Sequence, residues 1–366
     1  MSGAILVSTR KGLFVIEGTG SHAHVTRALF LGDHVAITLT DPREGHWYAA
    51  LHHGHFGVKL HRSEDQGRSW KEIATPAYPP KPEGFWDRDI WGQERSWSTQ
   101  GIWALEAAPD LRGGLWCGTA PGGLFRSRDH GESWELIEAL WRHPKRPLWQ
   151  GGGGDHAALH SICVDPRDPR MITVAVSTGG VWRSPDGGQS WEPRTLGMRA
   201  GYVPAAWAEL PEAQDPHRIV QCKAEPNVWW CQHHEGVWRS TDDAQSWQRV
   251  EIKPSSFGFA TAVHPQNGKI AWFVPSDSDQ RRAPTTGEVI VTRTRDGGQS
   301  FDVLRNGLPQ QLAYDLVLRH ALSIHTDGEQ LAFGSSTGHL WVTADQGDHW
   351  HAVTGHLPPI YAVTHA

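Results

Sequence analysis

The sequence predicts an all-β fold, a single seven-bladed β-propeller. Three observations support this. A short motif, Ser/Thr-x-Asp-x-Gly-x-x-Trp/Phe, returns at 63–70, 127–134, 184–191, 240–247, 294–301 and 343–350. Its aspartates, Asp65, Asp129, Asp186, Asp242, Asp296 and Asp345, recur every 49 to 64 residues, a period typical of radial repeats. Between copies, short alternating runs rich in β-branched and aromatic residues are bounded by Gly, Pro and Asp, as antiparallel strands are.

The third copy shows the unit most plainly. Strands are predicted over Ser161–Val164, Ile172–Val176 and Gly180–Ser184 from their alternation and β-branching. Asp-Pro-Arg-Asp-Pro at 165–169 turns the chain between the first two, and a Gly-Gly pair at 179–180 between the second and third. The motif then leads into a fourth strand, Trp191–Thr195. Near the N-terminus, Leu6–Ile16 repeats the second-to-third-strand pattern of Val176–Ser184 without a following motif, and Pro359–His365 reads as an innermost strand. The two segments are expected to share a seventh blade, so that no sheet edge is left open. Residues 1–366 are therefore read as one domain.

Within the motif the aspartate can accept the backbone amides of its own turn. The glycine two residues on permits positive φ, and the aromatic wedges between sheets. The fourth copy carries Ala244 in place of that glycine. Six aspartates repeated in this way are structural, not six catalytic acids. Five of the 20 tryptophans belong to the motif, and Trp47, Trp116, Trp182, Trp229, Trp230, Trp238, Trp272 and Trp341 fall on repeat strands. Trp86, Trp91, Trp97, Trp103, Trp141, Trp149 and Trp207 lie outside the template.

The motifs resemble the BNR/Asp-box superfamily, whose members include sialidases, sortilin-type receptors, photosystem II assembly-factor propellers and xyloglucan-active glycoside hydrolases. The resemblance spans nearly the whole chain. The template His160-Ser-Ile-Cys-Val-Asp-Pro through Gly180-Val-Trp-Arg-Ser and on to Trp191 is most similar to the xyloglucanase and assembly-factor style. It implies the propeller strongly and an activity only weakly, because enzymes and binders share the motif. The xyloglucanases pair two propellers, and this chain has length for one. Sialidases carry an early Arg-Ile-Pro that is absent here, so true sialidase activity is not expected.

Composition narrows the function classes. A formal net charge of −6 and the lack of a basic run give no reason to expect nucleic acid. No 18-residue apolar window appears, so no membrane partner is expected, and the N-terminus does not read as a signal peptide. The four cysteines, 117, 163, 222 and 231, form no C-x-x-C pair and read as reduced thiols. Together these favour the cytoplasm.

Candidate chemistry is sought where the loops exceed the minimum the repeat needs. The second-to-third-strand loops supply Arg10, His53, His234 with Glu235, and Arg282. The blade-to-blade loops supply Asp155-His156 with His160, and Arg319-His320. Three readings stay open for the histidines. His53, His234 and His320 could converge on a divalent metal ion. His156 and His160, with Asp155 or Glu235, could act as general acid and base without metal. Alternatively, such residues satisfy loop backbone, as His22, His24, His130, His349 and His351 are expected to do.

Arg282, Arg319 and Arg10 form a candidate cationic rim for a carboxylate or phosphate. Two insertions, about 75–99 and 141–154, carry most of the unassigned tryptophans. Trp91, with Trp103, is a candidate stacking platform for a sugar ring. Gly151–Gly154 lacks the Lys and helix of a phosphate-binding loop, and no nucleotide or organic cofactor is expected. The expected ligand is a small acidic or carbohydrate molecule in the central channel. The expected activity is that of a hydrolase or lyase. The alternative is a non-catalytic binding or assembly propeller.

Overall fold

A computed structural model describes residues 3–90, 92–151 and 156–366. Trp91 and Asp155 lie outside the described residues. The described strands form seven four-stranded antiparallel sheets, a seven-bladed β-propeller. Blade 1 combines Ile360–His365 with Ile5–Thr9, Gly12–Glu17 and His24–Leu29. Blade 2 is His34–Asp41, His46–His52, Val58–Ser63 and Lys71–Ile73, and blade 3 is Gly101–Ala107, Leu115–Ala120, Leu124–Ser127 and Glu135–Leu136. Blade 4 is Leu159–Val164, Ile172–Val176, Gly180–Ser184 and Glu192–Pro193, and blade 5 is Pro216–Gln221, Trp229–His233, Gly236–Ser240 and Gln248–Val250. Blade 6 is Gly258–His264, Asn267–Pro275, Val291–Thr294 and Asp302–Leu304, and blade 7 is Leu322–Ile324, Leu331–Gly334, Leu340–Thr343 and His351–Thr354.

The predicted strands of blade 4 match the observed ones to within two residues at each end, the fourth shortening to Glu192–Pro193. Blade 1 is assembled as expected from both chain ends. Ile5 faces His365, Leu6 faces Thr364 and Val7 faces Val363 across an antiparallel ladder.

Two compact units are present, one of residues 1–40, 217–243 and 248–366, the other of residues 41–216 and 244–247. The first is built on a core that includes Val7, Trp272, Phe333, Trp341 and Val363, and on a neighbouring one around Trp230 and Phe273. The second is built around Trp116, Leu159, Val174 and Trp182. Period-2 alternation supplies these side chains. Ile172, Val174 and Val176 are fully buried on one strand, and their neighbours Thr173 and Ala175 are buried on its other side, as in a strand covered on both faces. Cys117, Cys222 and Cys231 are buried, and all four cysteines are free thiols. Burial pushes the Cys117 thiol well above its ordinary value.

The repeated motif forms one turn between the third and fourth strands of its blade. In blade 4, Ser184 Oγ donates to Asp186 Oδ1 at 2.8 Å and accepts the Gly188 amide at 2.7 Å. The same Asp186 oxygen accepts the amides of Gln189 at 3.0 Å and Ser190 at 2.9 Å, and Ser190 Oγ donates to the other oxygen at 2.6 Å. The glycine is required by backbone shape, because the residues at 187 and 188 both have positive φ, 76° and 99°. In the fourth copy Asp243 and Ala244 hold φ of 66° and 57° without glycine.

The Ser190 hydroxyl and amide hold the Asp186 carboxyl down at about 2, so the folded state keeps it ionised where an unfolded chain would protonate it. This stability is present above the ordinary carboxyl value near 4 and is lost as pH falls through about 2. Asp186→Asn is expected to cost about 1 kcal/mol at pH 7, the scale of a solvent-screened side-chain cap. Urea unfolding of both proteins from pH 7 to pH 2.5 checks this. The gap between them should narrow below pH 4.

Candidate functional site

In the unit containing residues 217–243 and 248–366, several predicted residues meet around one aromatic ring. Phe259 lies on the first strand of blade 6. The Arg282 guanidinium stands 5.6 Å from its centroid and that of Arg319 5.5 Å. Arg282 is exposed and Arg319 half-buried. Arg282 comes from the long second-to-third-strand loop of blade 6, where its Nε donates to the Asp279 carbonyl at 3.1 Å. Arg319 comes from the segment entering blade 7. Two guanidiniums beside one buried ring suit a ligand that carries a carboxylate.

Imidazoles adjoin the same ring. His217 stacks on Phe259 with centroids 4.6 Å apart, and its Nδ1 donates to the Gly258 carbonyl at 2.6 Å, which fixes its orientation. His234 meets His217 edge to face at 5.6 Å and Phe257 at 5.8 Å. Its Nε2 lies 3.7 Å from the Asp279 carboxylate. A half-buried imidazole backed by a carboxylate is suited to proton transfer. Glu235 stands next in the same loop. Its amide donates to Nδ1 of the buried His233 at 3.1 Å, so the neutral His233 ring carries its proton on Nε2.

The remaining predicted residues of this unit stand apart from the Phe259 ring in role. His320 opens blade 7, where its carbonyl accepts the Val363 amide at 2.8 Å and it bridges to Ala362 of the blade 1 strand. Arg10 is exposed in the first hairpin of blade 1, and its amide donates to the Pro359 carbonyl at 2.9 Å.

The other unit holds a cavity of about 260 Å³ between the two insertions. Asp89, Glu94, Arg95, Arg146, Gln150 and His156 are among its lining residues. His156 is thus at a cavity wall, whereas His160 is fully buried on its strand, with Nδ1 3.0 Å from Ser161 Oγ. His53 precedes a short 3₁₀ turn in blade 2, and its amide donates to the Gly57 carbonyl at 2.9 Å. Neither His53 nor His320 belongs, among the described residues, to a group of three potential metal ligands.

The tryptophans depart from the sequence reading. Trp103, left outside the template, lies within the first strand of blade 3, with 37% of its surface exposed. Trp141 and Trp149, which the template left unassigned, are almost fully buried and serve as packing. Trp141 contacts Tyr78 at 4.5 Å and Trp97 at 5.5 Å, and the Arg146 guanidinium covers it at 3.9 Å. Phe259, the centre of the first cluster, was not among the predicted site residues. Phe259 sits in an ordinary alternating strand, and only its position next to two loop arginines sets it apart.

No protein-family model matches the chain. A xyloglucanase of Paenibacillus sp is 26% identical over 256 residues, which is 62% of this chain and 23% of that protein. The chain therefore spans about a quarter of the curated relative it matches. Among solved structures, the Pseudomonas aeruginosa periplasmic gluconolactonase PpgL superposes over 100% of this chain and 99% of its own, with a TM-score of 0.59 at 11% identity. YCF48 from Cyanidioschyzon merolae superposes over 89% of this chain and 87% of its own, with a TM-score of 0.53 at 11% identity. These likenesses agree with the β-propeller fold.

Proposed function

We propose that this propeller binds a small carboxylate-bearing, sugar-derived molecule over Phe259 and acts on it as a hydrolase or lyase. The observation that carries this reading is the convergence of Arg282 and Arg319 on one aromatic ring. In this reading the arginines hold the carboxylate, and the buried Phe259 beneath them fixes where their guanidiniums stand. His234, backed by Asp279, gives or takes a proton at the bond that breaks. The sequence similarity to a xyloglucanase supports including sugars among the probes.

The test is thermal unfolding with gluconate, glucuronate and galacturonate, against neutral glucose and xylose. A sugar acid at 100 times its Kd should stabilise the protein by about 2.7 kcal/mol, and neutral sugars much less. Arg319→Ala and Arg282→Ala should each abolish the shift. If no anion produces one, the reading fails. A second reading, a partner-binding propeller, rests on Leu312 and Tyr314, which expose 83% and 67% of their surface in one short loop.

A further inference from the structure

We infer that Glu44, His46 and His130 form a zinc site, separate from the Phe259 cluster and independent of the function proposed above. One potential donor atom from each residue lies within 4.8 Å of the other two. The Glu44 carboxylate is 2.9 Å from His130 Nε2, and the His46 and His130 rings are 5.3 Å apart at 58°. Zinc binds imidazole nitrogen and carboxylate oxygen at about 2.0–2.2 Å, which sets tetrahedral donors roughly 3.3 Å apart. One pair therefore already has nearly the required spacing, and His46 need close by about 1.5 Å at most. Two imidazoles and one carboxylate form a three-ligand zinc set, and partial exposure of all three leaves room for water at a fourth position.

A surface ion pair explains only part of this arrangement. Glu44 and His130 satisfy each other, but His46 Nδ1 is buried and makes no hydrogen bond. An imidazole nitrogen in that state, beside a second imidazole and a carboxylate, lacks the partner that buried polar atoms normally have.

The three side chains are also held in place from below. Glu44 and His46 border the turn between the first two strands of blade 2. There the Gly45 amide donates to the Asp41 carbonyl at 2.9 Å, and Arg43 grips the Asp41 carboxylate with Nε at 2.8 Å and Nη2 at 2.6 Å. Arg43 Nη1 reaches into blade 3, donating to the Ala108 carbonyl at 2.5 Å. His130 occupies the second repeat turn. Its φ is 61°, its amide donates to the Gly113 carbonyl at 2.8 Å, and its own carbonyl accepts Arg62 Nη1 at 3.1 Å. Its ring lies so close over Gly113 that a Cβ there would come within 2.6 Å of the imidazole nitrogens. A bound ion would tie blade 2 to blade 3 at their turns.

The test uses the full chain, stripped with chelator and then titrated with zinc. One equivalent of zinc should bind and raise the unfolding temperature, and chelator should reverse the rise. His46→Gln, Glu44→Gln and His130→Asn should each weaken zinc binding by more than about a hundredfold. Asparagine is chosen at 130 because it tolerates positive φ, and the near-isosteric change at the half-buried Glu44 guards against misfolding, which circular dichroism would reveal. Absence of a zinc-dependent shift in the folded parent protein overturns the proposal. So does zinc binding of unchanged strength in a folded Glu44→Gln or His46→Gln variant, which would place the ion on other histidines.

Discussion

Asp87→Ala should destabilise the unit that holds the insertions by about 3–5 kcal/mol, because it strands a buried cation. Asp87 is 3% exposed and Arg146 6%. The Asp87 carboxylate accepts Arg146 Nη2 at 2.6 Å and the Trp97 indole N–H at 2.7 Å, with Arg95 Nη1 3.9 Å away. Arg95 in turn donates to the carbonyls of Arg146 at 3.0 Å and Trp149 at 2.9 Å, so it stitches the first insertion to the second. Burial, and then the neighbouring Arg146 charge, pull the Arg95 guanidinium below its ordinary value. Removing the Asp87 carboxylate leaves the buried Arg146 guanidinium without its ion-pair partner and next to the Arg95 charge. Asp87→Asn should cost less, since the amide oxygen still accepts from Trp97. Urea unfolding measures the loss. Tryptophan emission should shift to the red at lower urea than in the parent, because Trp97, Trp141 and Trp149 all belong to this assembly.

Trp230→Ala should cost about 3–5 kcal/mol in the other unit, with the repeat turns left intact. The side chain has no exposed surface, and its Nε1 donates to the Gly268 carbonyl at 2.9 Å. Phe273 packs on it edge to face at 5.6 Å, the Arg239 guanidinium lies over it at 5.4 Å, and Gly298 of the fifth repeat turn sits against its ring edge. The residue thus joins blade 5 to blade 6 through a strand, a hairpin and a turn together. Truncation would leave a cavity, because rigid backbone on several sides cannot collapse into it. Trp230→Phe should recover much of the loss, but not the indole hydrogen bond. Equilibrium denaturation of both variants separates the packing contribution from that of the hydrogen bond.

The fold was legible because its causes are local. The Ser184–Asp186–Gly188 turn satisfies its own hydrogen bonds within seven residues, and alternation around Val174 marks both buried faces of one strand. The pairing of Ile5 with His365 was also readable, since each end carried half of a known template. The site was only partly legible. Arg282, Arg319 and His234 stood out because their loops exceed what the repeat needs. Phe259 did not, because an aromatic on an alternating strand looks like any core residue until its neighbours are known. Trp141 and Trp149 were left unassigned, because an insertion rich in aromatics gives no sign in sequence of whether it packs inward. His130 appeared to be an ordinary turn residue, and nothing in its own blade suggests otherwise. Its potential co-ligands lie 84 and 86 residues earlier along the chain.

The pairing within blade 1 has a kinetic consequence. Blades such as 4, from Leu159 to Pro193, can zip from neighbouring segments, at the small entropic cost of short loops. Among the described sheets, blade 1 alone must join opposite ends of the sequence, bringing Ile5 to His365. Non-local pairings form slowly, because the chain between them must be ordered before they yield any stabilisation. Assembly should therefore end at that ladder, and thermal opening should begin there, with the Ile360–His365 strand fraying before any other inner strand.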